Sequence, residues 1–334
     1  MSGTPDLARL YRSMVRMRVL EEELARLWRA GLVSGELHLG VGEEGVIAGI
    51  TDHLGVDDAV ALDYRPTPAL VARGVDIAAI VLEVLGHPQG LGGGQGGHMH
   101  LLDPDHLAIS TGIVGSPAPL ACGLALSAAR LRPGTVAVGF FGDGAVNQGM
   151  VMEAWNLASV WKLPVVFVVK DNRWAATTRT ERLRAGSIAG RARSFLLPTA
   201  VVDGNRVEAV WHAAGSLVAG ARQGRPGVLV ASCRRPAGHM LDDTLSRTVR
   251  SPAEMLRLTA DLVRVRGGQA GRRGVADLAA TVTRAFVDGR LPHADPLRGA
   301  ARRLGAPSAE VEAEARAEVL GAVERALSTA GVSL

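Results

Sequence analysis

The segment Gly142-Asp143-Gly144-Ala145-Val146-Asn147 sets a carboxylate between glycines, after the apolar run Val136–Phe141 and before a helical pattern over Gln148–Trp161. Such a carboxylate, at the carboxyl end of a strand, is a hard oxygen ligand in the crevice where parallel α/β sheets bind their ligands. The glycines let backbone approach a bulky anion with no Cβ in the way, and the helix N-terminus that follows favours negative charge. Twenty-nine residues after Asp143 comes Asn172, within Lys170-Asp171-Asn172-Arg173-Trp174, where the next apolar run, Val165–Val169, has ended. A carboxylate and an amide oxygen on adjacent strand ends, with diphosphate oxygens and water, would make the octahedral shell that magnesium demands. A lone Gly-Asp-Gly is a common structural turn. Its pairing with Asn172 across a strand–helix–strand unit is far more specific.

The elements that must position these residues follow from apolar periodicity. Val136–Phe141 and Val165–Val169 are near-continuous apolar runs, as expected of strands covered on both faces. The intervening helix has Met152, Trp155, Leu157 and Val160 as burial candidates, with Pro164 at its exit. Val228–Ser232 reads as a later strand. The alternation from Gly35 to Cys233 predicts an α/β fold, a parallel sheet covered by helices on both faces. Before it, residues 6–30 predict an amphipathic helix with Leu7, Leu10, Met14, Met17, Leu24 and Leu27 on one face and Gly31 as its stop. Glu21, Glu22 and Arg26, on the opposite face, are expected to meet solvent or a partner chain. Beyond Arg250 the patterns over Ala253–Val265 and Ala309–Leu327 are helical, with Gly267–Arg273 as the expected linker. The divisions are 1–34, an N-terminal helical segment; 35–250, the ligand-binding domain; and 251–334, a helical annex.

Composition removes several classes. With 334 residues, 47% hydrophobic and 21% charged, the chain can bury a large core and is not a disordered tail. Cys122 and Cys233 are the only cysteines, so a disulfide framework is not expected. Apolar runs are far shorter than a membrane span needs, and Met1–Arg12 lacks a secretory pattern, so a cytoplasmic location is expected. The net charge of +4 comes mostly from dispersed arginines, with no run interleaved with aromatics, so neither nucleic acid nor membrane is an expected partner.

Further motifs occur in order: His38-Leu39-Gly40-Val41-Gly42-Glu43-Glu44, Tyr64-Arg65, the glycine-rich Gly92–His100, Gly112-Ile113-Val114-Gly115 and Gly238-His239. With the Gly-Asp-Gly and Asn pair, the set resembles the α subunits of thiamine-diphosphate-dependent 2-oxo acid dehydrogenases (pyruvate, branched-chain oxo acid and acetoin dehydrogenases) over about residues 10–250. The resemblance implies the thiamine-diphosphate-binding fold, with Mg2+ held by Asp143, Asn172 and the Trp174 carbonyl. It implies that Arg65 beside Tyr64 contacts diphosphate, that Gly112 and Val114 meet the aminopyrimidine, and that Gly142, Gly144 and Ala145 line the cofactor. His239 would lie near diphosphate and substrate, and His38 on the substrate side; these two are the catalytic candidates. It also implies a β subunit that supplies an activating glutamate, a heterotetramer of two α and two β chains, a small 2-oxo acid substrate and acyl transfer to a lipoyl acyltransferase component. Two other outcomes remain open: half of a carboligase or transketolase-like enzyme, and a non-catalytic cofactor-binding scaffold subunit.

Three departures stand out. Pro66-Thr67-Pro68 follows Tyr64-Arg65 where many relatives carry a histidine. Ala237-Gly238-His239-Met240 lacks the first histidine and the serine of the His-Gly-His-Ser found in several relatives, so kinase control there is not expected. Glu44-Gly45 stands where Glu-Ala is frequent. Taken alone, His98, His100 and His106 could suggest zinc, although no cysteine or further histidine pair sits at ligand spacing. Arg179, Arg182, Arg184, Arg191 and Arg193 form a basic stretch that fits either an anionic contact or a solvated loop.

Overall fold

Five strands that alternate with helices along the chain pair side by side in parallel. They are β1 (Ala59–Leu62), β3 (Ala108–Ser110), β4 (Ala137–Gly142), β5 (Val165–Asp171) and β9 (Gly227–Ser232). The computed structural model describes residues 3–241 and 295–333, with a few isolated positions between them. β2 (Leu102–Asp103) adds antiparallel to β3, and β8 (Thr199–Asp203) adds parallel to β9, giving the order β2-β3-β1-β4-β5-β9-β8. A small hairpin, β6 (Trp174–Ala175) with β7 (Thr178–Arg179), stands apart from the sheet.

Period-two alternation sends each central strand's side chains to two separate cores. Val138, Phe140, Val166, Val168 and Leu229 enter one apolar cluster; Ala137, Phe141, Val165, Phe167, Val169 and Val228 enter the other. The second cluster is closed by α5 (Pro117–Leu131), α6 (Gly149–Trp161) and α7 (Ile188–Ser194). Gly139 lets α5 come this close, because a Cβ there would sit 2.9 Å from that of Ala121. The first cluster is closed by α1 (Leu7–Arg29), α2 (Glu44–Thr51), α3 (Thr67–Arg73), α4 (Ile77–Val84), α8 (Val207–Ala221), α9 (Pro296–Leu304) and α10 (Pro307–Thr329). No helix among the described residues is long and apolar enough to cross a membrane.

Two expectations need correction. In α6 the buried stripe is Val151, Ala154, Trp155 and Ala158; Met152 and Leu157 are half-buried and Val160 is exposed. Small residues at i, i+3 and i+7 set the helix on the sheet, and Val160 falls outside that stripe. In α1, capped by Asp6, the expected apolar face is buried apart from half-buried Leu7, but Glu21 is buried as well. The helix is packed on more than one side, against α2, α3 and α10, so its supposed polar face is partly interior. Glu22 and Arg26 do face solvent. Two of the departures have a structural basis. Pro68 lies in the first turn of α3, where its missing N–H costs nothing, and a Cβ on Gly45 would collide with the Gly204 carbonyl. The expected linker Gly267–Arg273 and most of the helix expected over 253–265 lie outside the described residues.

Candidate active site

The candidate residues collect beyond the carboxyl ends of the parallel strands. Asp63, Tyr64 and Arg65 follow β1, Thr111–Gly115 follow β3, Asp143 follows β4, Asn172 follows β5, and Cys233–His239 follow β9. Connections leave β1 outward to β3 on one side and return to β4 on the other. The crevice therefore opens at the switch point where such sheets bind ligands.

Asp143 begins a short 3-10 turn, Asp143–Asn147, and is 1% exposed. Neither carboxylate oxygen makes a hydrogen bond of full geometry, although the Thr180 and Asp171 side chains lie close enough to act on it. Burial, with the Asp171 carboxylate adding to it, raises its pKa well above the ordinary carboxylate range. A buried unpaired carboxylate is costly unless a proton or cation meets it. Asn172 Oδ1 accepts from Trp174 N–H at 2.9 Å, and an amide oxygen keeps a second lone pair. Arg173 (φ 65°) and Ala176 (φ 50°) are held left-handed as the chain turns into the β6–β7 hairpin. The hairpin is seated against Gly144, where a Cβ would lie 2.7 Å from that of Ala175, while a Cβ on Gly142 would meet nothing within 4 Å. Asp143 and Asn172 end adjacent strands as a carboxylate and an amide oxygen beside open glycine backbone, and with the Trp174 carbonyl they could offer the all-oxygen donors that Mg2+ takes.

Across the crevice lies a cationic and aromatic wall. Arg65 donates to the Leu39 carbonyl and to the His239 carbonyl, each at 2.5 Å, and its guanidinium lies 5.2 Å from the Tyr64 ring centroid. His38 stands 4.9 Å from both the Tyr64 and the His239 rings. Burial, then the Arg65 charge, lowers the His38 pKa to about 3. On the rim, Ile113 and Val114 are exposed apolar side chains next to Gly112.

The zinc reading of the three histidines has no support in their placement. His98 meets His38 and His106 meets Asp103. Among the described residues, no group of three His, Cys, Asp or Glu side chains is arranged for a metal. Part of the arginine stretch is structural: Arg179 lies over the Trp174 ring and pairs with Glu181, and Arg191 donates to Asn147 Oδ1 at 2.8 Å.

The supports beneath the site were not visible in the sequence. Lys170 Nζ lies 2.6 Å from Glu43 Oε2 and 3.0 Å from Asp63 Oδ1. Burial opposes its charge, but the two carboxylates outweigh that and raise its pKa. Glu83, fully buried, accepts from the N–H groups of Gly92, Gly94 and Gly96 at 2.6–2.8 Å and so shapes the glycine-rich loop. Glu21 accepts from Gly40 N–H and from the Thr67 hydroxyl, while Glu44 accepts from Gly42 N–H and pairs with Arg18. One available signal was a lysine or glutamate inside an otherwise apolar run.

Residues 12–264 match the family model described as the dehydrogenase E1 component. The chain belongs to the dehydrogenase E1 family. Its relatives include the α subunit of an acetoin:2,6-dichlorophenolindophenol oxidoreductase from Cupriavidus necator, 37% identical over 80% of this chain and 82% of that one. The Bacillus subtilis protein of the same name is 38% identical over 70% and 71%. The pyruvate dehydrogenase E1 component α subunit of Zymomonas mobilis is 36% identical over 71% and 68%. Within the E1 family this chain is an α subunit of the thiamine-diphosphate-dependent 2-oxo acid dehydrogenase type, and the α designation implies a β partner.

Proposed function

We propose that this chain holds the magnesium-diphosphate half of a split active site, in which a small 2-oxo acid is decarboxylated and its acyl group passes to a lipoyl carrier. The observation that carries the reading is Asp143: a buried carboxylate with no well-formed hydrogen bond to either oxygen, crowded by the Asp171 carboxylate, where β4 ends next to β5 and Asn172. Asp143, Asn172 and the Trp174 carbonyl would hold Mg2+. Arg65 would meet the diphosphate together with Tyr64 and His239, over the open backbone of Gly142, Gly144 and Ala145. Gly112 and Val114 would meet the rest of the cofactor. Thiamine diphosphate, when bound, supplies the nucleophilic carbon and the electron sink for decarboxylation. The chain's own residues then orient and exclude: Arg65 offers fixed charge to an anion, and His38, a neutral hydrogen-bonding group, stands with His239 on the substrate side. The exposed Ile113 and Val114 beside the crevice suit a cofactor or a β chain closing over them, in an assembly of two α and two β chains.

The test is carbon dioxide release from a panel of 2-oxo acids, with acetoin oxidation run alongside, in the presence of thiamine diphosphate and Mg2+. This chain is assayed alone and mixed with its candidate β subunit. Turnover of a 2-oxo acid in the mixture only is the expected result. Tight cofactor binding by the mixture without release from any acid would replace this reading with carbon–carbon ligation or a scaffold role.

A further inference from the structure

Two donors of His38 converge on one atom of His98. The His38 backbone N–H lies 3.3 Å from His98 Nε2, and His38 Nδ1 lies 3.0 Å from the same nitrogen. A backbone N–H can only donate, so His98 Nε2 presents a lone pair and its proton sits on Nδ1. Burial, then the Arg65 charge, lowers the pKa of His98 to about 4 and that of His38 to about 3, so both rings are neutral near pH 7. With His98 Nε2 accepting, the hydrogen between the rings must come from His38 Nδ1. His38 Nε2 is then unprotonated. Its nearest carboxylate, Glu36 Oε2, is 4.0 Å away on a mostly exposed side chain, beyond hydrogen-bond distance.

His239 is oriented the opposite way. Its Nδ1 lies 3.4 Å from Arg65 Nη2 and 3.3 Å from Arg235 Nη1. Guanidinium groups carry donors only, so Nδ1 accepts and the proton of a neutral His239 sits on Nε2. The His38 and His239 rings meet edge to face at 82°.

We propose that His98 is a positioning residue: by accepting both donors of His38 it fixes that ring as the Nδ1–H tautomer, leaving Nε2 to accept a hydrogen bond or proton opposite the Nε2–H of His239. The tautomer follows from the geometry alone; its consequence for turnover rests on the function proposed above. The neighbouring imidazoles then divide their work, one accepting and one donating, and His98 enforces the division without touching substrate.

The experiment is magic-angle-spinning NMR of the full chain, in complex with its β subunit and labelled with 15N in the imidazoles. The His38 signals are identified by their loss in His38→Asn. The wild type should show His38 protonated on Nδ1 and bare on Nε2. His98→Ala should shift His38 toward the other tautomer and lower turnover by about 10–100-fold, the range seen when a metal-bound histidine loses the partner that orients it. His98→Gln, whose amide oxygen accepts both donors, should restore the tautomer and most of the turnover. A wild-type His38 protonated on Nε2, or an unchanged tautomer in His98→Ala, overturns the proposal. If the tautomers follow the proposal while no variant and no wild type decarboxylates any 2-oxo acid, the functional reading fails and the positioning role stands.

Discussion

Lys170 and Glu43 form an ion pair 2.6 Å long, with both side chains 2% exposed. The pair joins the penultimate residue of β5 to the start of α2, and Asp63 closes it from the end of β1 at 3.0 Å. Because Asp63 Oδ1 also accepts from Arg65 N–H at 3.2 Å, the pair underlies the diphosphate-side arginine as well. Lys170→Met would strand two carboxylates in the interior. Removing one partner of a buried ionic group costs about 3–5 kcal/mol, so the variant should melt well below the wild type. Adding Glu43→Gln to it should recover part of the loss, since one fewer charge is left unpaired. Coincident melting curves for wild type and Lys170→Met would show that the triad contributes nothing to stability.

Asp143 and Asn172 were legible because their meaning lies in chain spacing: an apolar strand, a glycine turn, a helix and a second strand. The strands themselves were legible because both faces of the sheet are covered, which makes their apolar runs continuous. Glu21, Glu43, Lys170 and Glu83 were not, for one shared reason. A charge is assigned to solvent unless its partner is known. The partners of Glu21, Glu43 and Lys170 come from distant chain, and those of Glu83 are backbone N–H groups of a nearby glycine-rich loop whose shape no residue type announces. His98 was visible only as one of three nearby histidines. Its role depends on His38, sixty residues earlier, being folded onto it.

Glu21 makes a prediction about pH. Burial, partly opposed by its bonds to Thr67 and Gly40, raises its pKa to about 7, above an unfolded value near 4.5. The folded state therefore binds this proton more tightly than the unfolded state. Its contribution is fully present below pH of about 4.5 and is lost as pH rises through about 7. The loss is on the order of 3 kcal/mol at most. Glu21→Gln should remove that slope, because the amide can accept from Gly40 N–H and donate to Thr67. Above pH of about 7 the variant should melt at or above the wild-type temperature, with its advantage shrinking as pH falls. Parallel melting temperatures for both proteins from pH 5 to pH 8 would contradict the assignment.

Asp143 separates folding from metal binding. Burial and the Asp171 carboxylate make its charge costly when no cation meets it, and the same oxygens are the charged donors the magnesium site needs. Asp143→Asn should therefore have opposite effects in the two states. Without metal, replacing a buried charge with a neutral amide should raise the melting temperature, by an amount corresponding to about 1–3 kcal/mol. With Mg2+ and thiamine diphosphate added, the wild type should gain stability by mass action, about 2.7 kcal/mol at a hundredfold excess over Kd, and the variant should gain little. Melting both proteins with and without Mg2+ and cofactor, in the presence of the β subunit, checks the two signs together. Equal ligand-induced shifts in wild type and variant would remove Asp143 from the metal shell. A lower melting temperature for metal-free Asp143→Asn would mean that the carboxylate already has a partner in the folded protein.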